Sequence, residues 1–133
     1  MASYGAAWIA VGVTFLALDA IWLSQMAPRI YQPVIGAIMA ERVNFLAAAL
    51  FYLLYVSGVV LFAVSPALRH GVLHAAMLGA LLGLLAYGTY DLSNMATLRT
   101  WSWGLSAIDM AWGAAATAAA ASMGHLAASW FTR

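Results

Sequence analysis

The 133-residue chain contains no cysteine and no lysine, and only 7% of its residues are charged. Without cysteine it can form no disulfide, no thiolate metal site and no catalytic thiolate. Its net charge of +1 provides no basic surface for nucleic acid, so no nucleic-acid partner is expected. No cofactor motif, phosphate-binding loop or nucleophile elbow is present, so the sequence names no cofactor.

Hydrophobic residues make up 66% of the chain, and its mean hydropathy is +0.94. A soluble fold could not bury so much apolar surface, so we expect the lipid bilayer to be the main partner. Four segments are long enough to span a bilayer, which takes about 20 residues. They are Gly5–Ala27, Arg42–Val64, His70–Ser93 and Trp103–Phe131. The sequence predicts an all-α, integral membrane four-helix bundle with up-down-up-down topology, forming a single domain over residues 1–133.

The connections between these segments are short, apart from the first. Pro28 is expected to end the first helix, because proline interrupts the backbone hydrogen bonds of an α-helix. The following Tyr31–Ala40 is apolar enough to form an interfacial or re-entrant segment between helices one and two. Ser65 and Pro66 are predicted to make the next turn. The first segment lacks a basic start and contains Asp19, so it does not resemble a cleaved signal peptide.

The charged residues are distributed unevenly along the chain. All five arginines lie between or beyond the apolar segments, whereas three of the four acids lie inside them. These acids are Asp19, Asp91 and Asp109. A carboxyl group in hydrocarbon is costly unless it is protonated, paired or hydrated, so such residues usually face a bundle interior and have a function.

In an up-down-up-down bundle the three acids lie at one depth. Asp19 is eight residues before Ala27, Asp91 is eight before Arg99, and Asp109 is eight after Trp101. At the rise of an α-helix, each carboxyl lies about 12 Å below the same surface. The spacing predicts a shared site, in which mutual repulsion keeps at least one acid protonated. The alternative is that each acid hydrogen-bonds separately to a neighbouring helix.

Other polar and aromatic residues fall on the same helix faces as the acids. On the third helix Tyr87, Asp91 and Asn94 follow one stripe at i, i+4 and i+7. Asn44 and Tyr55 share a face of the second helix. Trp22 and Trp112 each follow an acid by three residues, a coincidence that we attribute to chance. The predicted ligand- or proton-binding residues are Asp19, Asp91, Asp109, Asn94, Tyr87, Tyr55, Asn44, Trp22 and Trp112.

The three histidines belong to the opposite end of the predicted bundle. His70 and His74 are one helical turn apart, which is a spacing found in metal sites, and His125 lies near the end of the fourth helix. No acid reaches that end, so we predict no metal site there.

Four blocks of the chain resemble one family. They are the runs Tyr87–Arg99 (with Trp101 after it), Phe15–Leu23, Phe51–Gly58 and Ile108–Gly113. The sequence is similar to the family of bacterial predicted membrane proteins known as DUF2177. The resemblance implies a multi-pass protein of the bacterial inner membrane. It assigns no activity and no catalytic residue.

Three functions fit this pattern. The first is a protein whose carboxyl cluster binds a proton, a cation or an amphipathic lipid-like ligand; transport by so small a bundle would require a homodimer. The second is an accessory or assembly subunit of a larger membrane complex, docking through its alanine-rich fourth helix. The third is a small lipid-modifying enzyme with Asp91 or Asp109 as acid or base.

The arginines indicate an orientation in the membrane. Arg29, Arg42 and Arg99 lie at the end of the bundle near the three acids, and Arg69 and Arg133 lie at the opposite end. Because arginine is in excess on the cytoplasmic side of membrane proteins, this distribution favours the cytoplasm for the end near the acids.

Overall fold

The described part of the chain, residues 1–132 of a computed structural model, is built from four long helices and contains no strand. The helices are α1 (Ala2–Ile38), α2 (Phe45–Ala67), α3 (Val72–Thr97) and α4 (Trp103–Trp130). An all-α protein with four long helices is therefore confirmed. Arg133, one of the arginines on which the predicted membrane orientation depends, lies outside the described residues.

Helix α1 does not end at Pro28, so that prediction is wrong. The α-helix Ala2–Met26 passes into a π-helical turn, Ala27–Tyr31, which contains the proline. One further α-helical turn (Gln32–Ile35) and a 3₁₀ turn (Gly36–Ile38) complete the helix. A proline breaks the regular i to i−4 hydrogen bonds. A π turn bonds one residue further along, which lets the chain pass the proline and remain helical.

The prediction of a turn at Ser65 and Pro66 is also wrong. In this helix a π turn at Val60–Val64 precedes the proline, and Ser65–Ala67 remains helical. The chain reverses only afterwards, at residues 68–71. Gly71 precedes α3 with a φ of 98°, a left-handed conformation that glycine adopts without strain.

Helices α3 and α4 pack most closely, through glycines of α3. A Cβ atom on Gly79 would lie 2.7 Å from the carbonyl oxygen of Thr117 and 3.1 Å from the Cα of Ala118. On Gly83 it would overlap the backbone of Gly113. The two backbones are thus in direct contact, which only glycine permits at these positions.

Contacts between neighbouring helices pair their residues in reverse order. Tyr4 and Trp8 of α1 hydrogen-bond to Ser65 and Ser57 of α2, at 3.1 Å in both cases. Further along the same two helices, Tyr52 meets Asp19. Helices α1 and α4 show the same reversal, since Val11 lies against Gly124 and Trp22 against Trp112. Helices α3 and α4 show it too, since Gly79 lies against Thr117 and the Ser106 hydroxyl donates to the carbonyl of Asp91.

Helix α4 is the most buried of the four. Eleven of its 28 residues are buried, compared with five of 26 in α3. Three helices, α1 to α3, are both long and apolar enough to cross a membrane; the alanine-rich α4, with 28 residues, is not among these candidate spans. The outer faces of the other helices expose large aliphatic side chains, among them Leu54 (75%) and Leu73 (72%). Such continuous apolar surfaces belong in a lipid bilayer.

Candidate functional site

All four helices line one cavity of about 460 Å³. Helix α1 contributes five residues, the position directly after it one, α2 one, α3 three and α4 one. They are Asp19, Leu23, Ala27, Tyr31, Ile35, Met39, Phe51, Ala86, Tyr87, Tyr90 and Asp109. We call this space the acidic cavity, because two of the three buried acids line it.

The five lining residues of α1, together with Met39 directly after the helix, are spaced four apart from Asp19 onward. In a regular α-helix each step of four residues overshoots one turn by about 40°, so five steps would carry Met39 to the far side. The π turn at Ala27–Tyr31 has more residues per turn and offsets this drift. The irregular turn at Pro28 therefore keeps one face of α1 directed at the cavity from Asp19 to Ile35.

Asp109 is held in place by α1. The hydroxyl of Tyr31 donates a hydrogen bond to its Oδ1. The indole nitrogen of Trp22 donates in turn to the Tyr31 hydroxyl, at 2.9 Å. The ring of Trp22 stacks on that of Trp112, with 4.4 Å between centroids and 6° between planes. The two tryptophans that follow the acids in sequence therefore meet in space, and Trp22 is linked to the Asp109 carboxyl through Tyr31.

Asp19 is held by α2. The Tyr52 hydroxyl donates to its Oδ2, and the Tyr52 ring meets Phe15 edge-on, at 6.1 Å between centroids. Tyr55 lies deeper, where its hydroxyl is 2.7 Å from that of Thr117 and its ring packs against Phe15. Tyr55 thus belongs to the packed core and does not line the acidic cavity.

Asp91 lies behind Asp109 and is fully buried. The two carboxyl groups are neighbours, yet neither oxygen of Asp91 meets a hydrogen-bond donor among residues 1–132. Two neighbouring carboxylates repel each other strongly where the effective dielectric constant is low. Asp19 and Asp109 line the acidic cavity, whereas Asp91 does not.

The remaining predicted residues have different positions. Tyr87 lines the acidic cavity, and its ring lies so close to Gly113 that a Cβ there would overlap it. Asn94 is partly buried further along α3, outside the cavity lining. Asn44 is exposed and caps α2, accepting a hydrogen bond from the Ala47 amide at 3.1 Å. The structure therefore separates Asn44 from the acids.

This arrangement belongs to a recognised group of proteins. A family model described as Predicted membrane protein (DUF2177) matches residues 4–126. The chain belongs to the DUF2177 family. No curated protein and no solved structure matches it.

The acidic cavity of this DUF2177 protein has a distinctive chemistry. Its lining contains two acids, four aromatic rings and five aliphatic residues, and no basic residue. The rings are those of Tyr31, Phe51, Tyr87 and Tyr90. Carboxyl groups and aromatic faces both attract cations, and aromatic cages bind quaternary ammonium groups. The apolar wall suits a hydrocarbon chain.

No group of three or more histidine, aspartate or glutamate side chains within residues 1–132 is arranged to hold a metal ion. His70 and His74 lie with their rings 4.9 Å apart at the other end of the bundle. His125 is buried there, with neither ring nitrogen hydrogen-bonded within the described structure.

Tyr31 was absent from the predicted site, although it contacts Asp109 directly. The sequence carries a signal for it, since a four-residue spacing runs from Asp19 through Leu23 and Ala27 to Tyr31. Ending the first helix at Pro28 concealed this stripe. Tyr90 and Phe51 were also outside the predicted set.

Proposed function

We propose that this DUF2177 protein binds a cationic amphipathic molecule within the membrane. The proposal rests on one observation: Asp19 and Asp109 line a largely apolar cavity together with four aromatic rings and no basic residue. The cationic head group lies between the two carboxyls, and the hydrocarbon chain follows the aliphatic wall. The acidic cavity, at about 460 Å³, lies within the range of about 300–1,000 Å³ typical of small-molecule sites.

The fixed positions of the two acids support this proposal. Each carboxyl accepts a hydrogen bond from a tyrosine on another helix, Tyr52 for Asp19 and Tyr31 for Asp109. Each bond occupies one oxygen of its carboxyl group and fixes the orientation of that group. Because the carboxyls are oriented before the ligand arrives, little ordering cost opposes binding.

Membrane topology follows from the same arrangement. We propose that the four helices cross the inner membrane of a bacterium up-down-up-down, with the buried α4 as the fourth span. The reversed pairing of contacts between neighbouring helices supports this order. Helix α1, with 37 residues, would be about 55 Å long if straight, and so exceeds the hydrocarbon thickness of about 30 Å. Its last turns would then lie at the interface, next to Trp101 and Leu105, which pack against Ile35.

A titration with chain-matched ligands tests the proposal. The purified protein in lipid nanodiscs is titrated with decyltrimethylammonium and, separately, with decanol, while tryptophan fluorescence is recorded. We expect saturable binding of the cation, at least about tenfold tighter than that of decanol, since a charge-assisted contact contributes roughly 1.5–3 kcal/mol.

The fluorescence change should come from Trp22, which hydrogen-bonds to Tyr31 at the cavity wall. The Trp22→Phe variant should therefore lose most of the signal. A control variant, Trp130→Phe, removes an exposed ring at the far end of α4 and should keep it. Equal affinity for the cation and decanol would refute a cation site.

A further inference from the structure

Asp91 is the one intramembrane acid for which the proposed binding site has no use. It is fully buried on α3, and neither of its oxygens meets a hydrogen-bond donor within residues 1–132. A buried carboxylate without donors is strongly disfavoured, whereas a protonated carboxyl can donate to a neighbouring acceptor. Its neighbouring carboxyl is that of Asp109.

The titratable groups around Asp91 are few. From α4 it faces Asp109. From α1 and from α3 itself, the phenols of Tyr31 and Tyr90 lie within electrostatic range. The Tyr31 hydroxyl already donates to Asp109. Helix α2 has two phenols near the acids: Tyr52 donates to Asp19, and the Tyr55 hydroxyl is paired with that of Thr117. These surroundings therefore leave Asp109 as the group with which Asp91 can share a proton.

We infer that cation binding at the acidic cavity displaces a proton held between Asp91 and Asp109. This inference rests on the proposed function. Without ligand, the two carboxyls share one proton and together carry one negative charge. When the cation arrives beside Asp109, the proton leaves to water, and the two carboxylates plus the cation again carry one net negative charge. The protein exchanges one proton for one cation, and the charge buried in the membrane does not change.

The exchange has a measurable consequence for affinity. If one proton leaves for each cation bound, the apparent affinity rises by about tenfold per pH unit wherever the shared proton is present in the free protein. Above the pH at which the pair loses this proton, affinity becomes independent of pH. A site without exchange would show no such slope.

Proton release can be measured directly. The protein in nanodiscs, in weakly buffered solution with a pH indicator dye, is mixed with decyltrimethylammonium, which is permanently charged and carries no proton to release. We expect about one proton released per cation bound. In the Asp91→Asn variant the amide can donate a hydrogen bond to Asp109, so we expect cation binding with no proton release and no pH dependence.

Asp19→Asn serves as the matched control. It removes the other cavity acid, and we expect weaker binding but still about one proton per cation. Binding by the wild-type protein without proton release, or equal release by Asp91→Asn, would overturn the exchange and leave the proposed function intact. Absence of cation binding in the wild-type protein would overturn both. If Asp91→Asn does not fold, the slope of wild-type affinity against pH decides alone.

Discussion

Helices α1 and α2 border two recesses of different character. The acidic cavity, about 460 Å³, has two carboxyls in its lining. A smaller groove of about 190 Å³ lies between the same helices, nearer the start of α1, and its walls are wholly apolar. We call it the apolar groove; it is lined by Trp8, Ile9, Gly12, Val13, Leu16, Tyr52, Leu53 and Val56.

Tyr52 connects the two recesses, since it lines the apolar groove while its hydroxyl donates to Asp19. A lipid chain can fill the groove, but nothing polar there distinguishes one chain from another. The acidic cavity adds charge and aromatic rings, so it can select a head group. The comparison teaches that, if the proposed binding function holds, selectivity would come from the two acids Asp19 and Asp109 and not from apolar volume.

The largest expected effect separates the two recesses directly. Asp109→Asn removes a charge from the acidic cavity, and we expect the affinity for decyltrimethylammonium to fall by about 10- to 100-fold, because contacts to charged groups contribute roughly 1.5–3 kcal/mol. Val13→Ala enlarges the apolar groove and should leave this affinity unchanged. Nanodisc titrations of both variants measure the difference. Equal losses in the two variants would erase the distinction between cavity and groove.

A smaller effect is expected from a change in shape alone. Gly113→Ala places a methyl group where the Tyr87 ring now lies, so the ring must move at the cavity wall. We expect cation affinity to fall by about tenfold, the cost of roughly 1.4 kcal/mol for a displaced contact. Gly104→Ala is the matched control on the same helix, since a Cβ there meets nothing within 4 Å. An unaltered affinity in Gly113→Ala would show that Tyr87 does not shape the site.

The smallest effect is expected at Tyr31. Tyr31→Phe removes the donor to Asp109 and the acceptor for Trp22. A typical hydrogen bond contributes about 0.5–1.5 kcal/mol, so we expect a two- to tenfold loss of affinity and a changed tryptophan emission. Tyr4→Phe, which removes an exposed hydroxyl bond to Ser65 far from the acids, provides the baseline. If the emission and affinity of Tyr31→Phe match those of Tyr4→Phe, Tyr31 does not position Asp109.

Much of the fold could be predicted from the sequence. Uninterrupted apolar runs located the four helices, as with Trp103–Phe131 against the observed Trp103–Trp130. The errors occurred at Pro28, which lies within a π turn, and at Pro66, which follows one, because the predictions applied a rule derived for regular α-helices. Composition does not indicate where a helix will widen by one residue, because that depends on what the shifted side chains pack against.

The candidate site could be predicted only in outline. Counting residues from the helix ends placed Asp19, Asp91 and Asp109 at one depth. It could not show that Asp91 lies behind Asp109, since that depends on how each helix is rotated about its axis. Asn44 was assigned to the site by its helical face, although an asparagine directly before an apolar helix is also a common N-cap, which is its position here.

The most direct test is to map where a bound cation lies. A decyltrimethylammonium analogue with a photoreactive diazirine on its chain is cross-linked to the protein in nanodiscs, and the labelled residues are identified by mass spectrometry. We expect labelling of the cavity wall at Leu23, Ile35 or Met39, and its loss in Asp109→Asn. Labelling confined to Ile9, Val13 and Leu53 of the apolar groove, or unchanged by Asp109→Asn, would contradict a cation site between the acids.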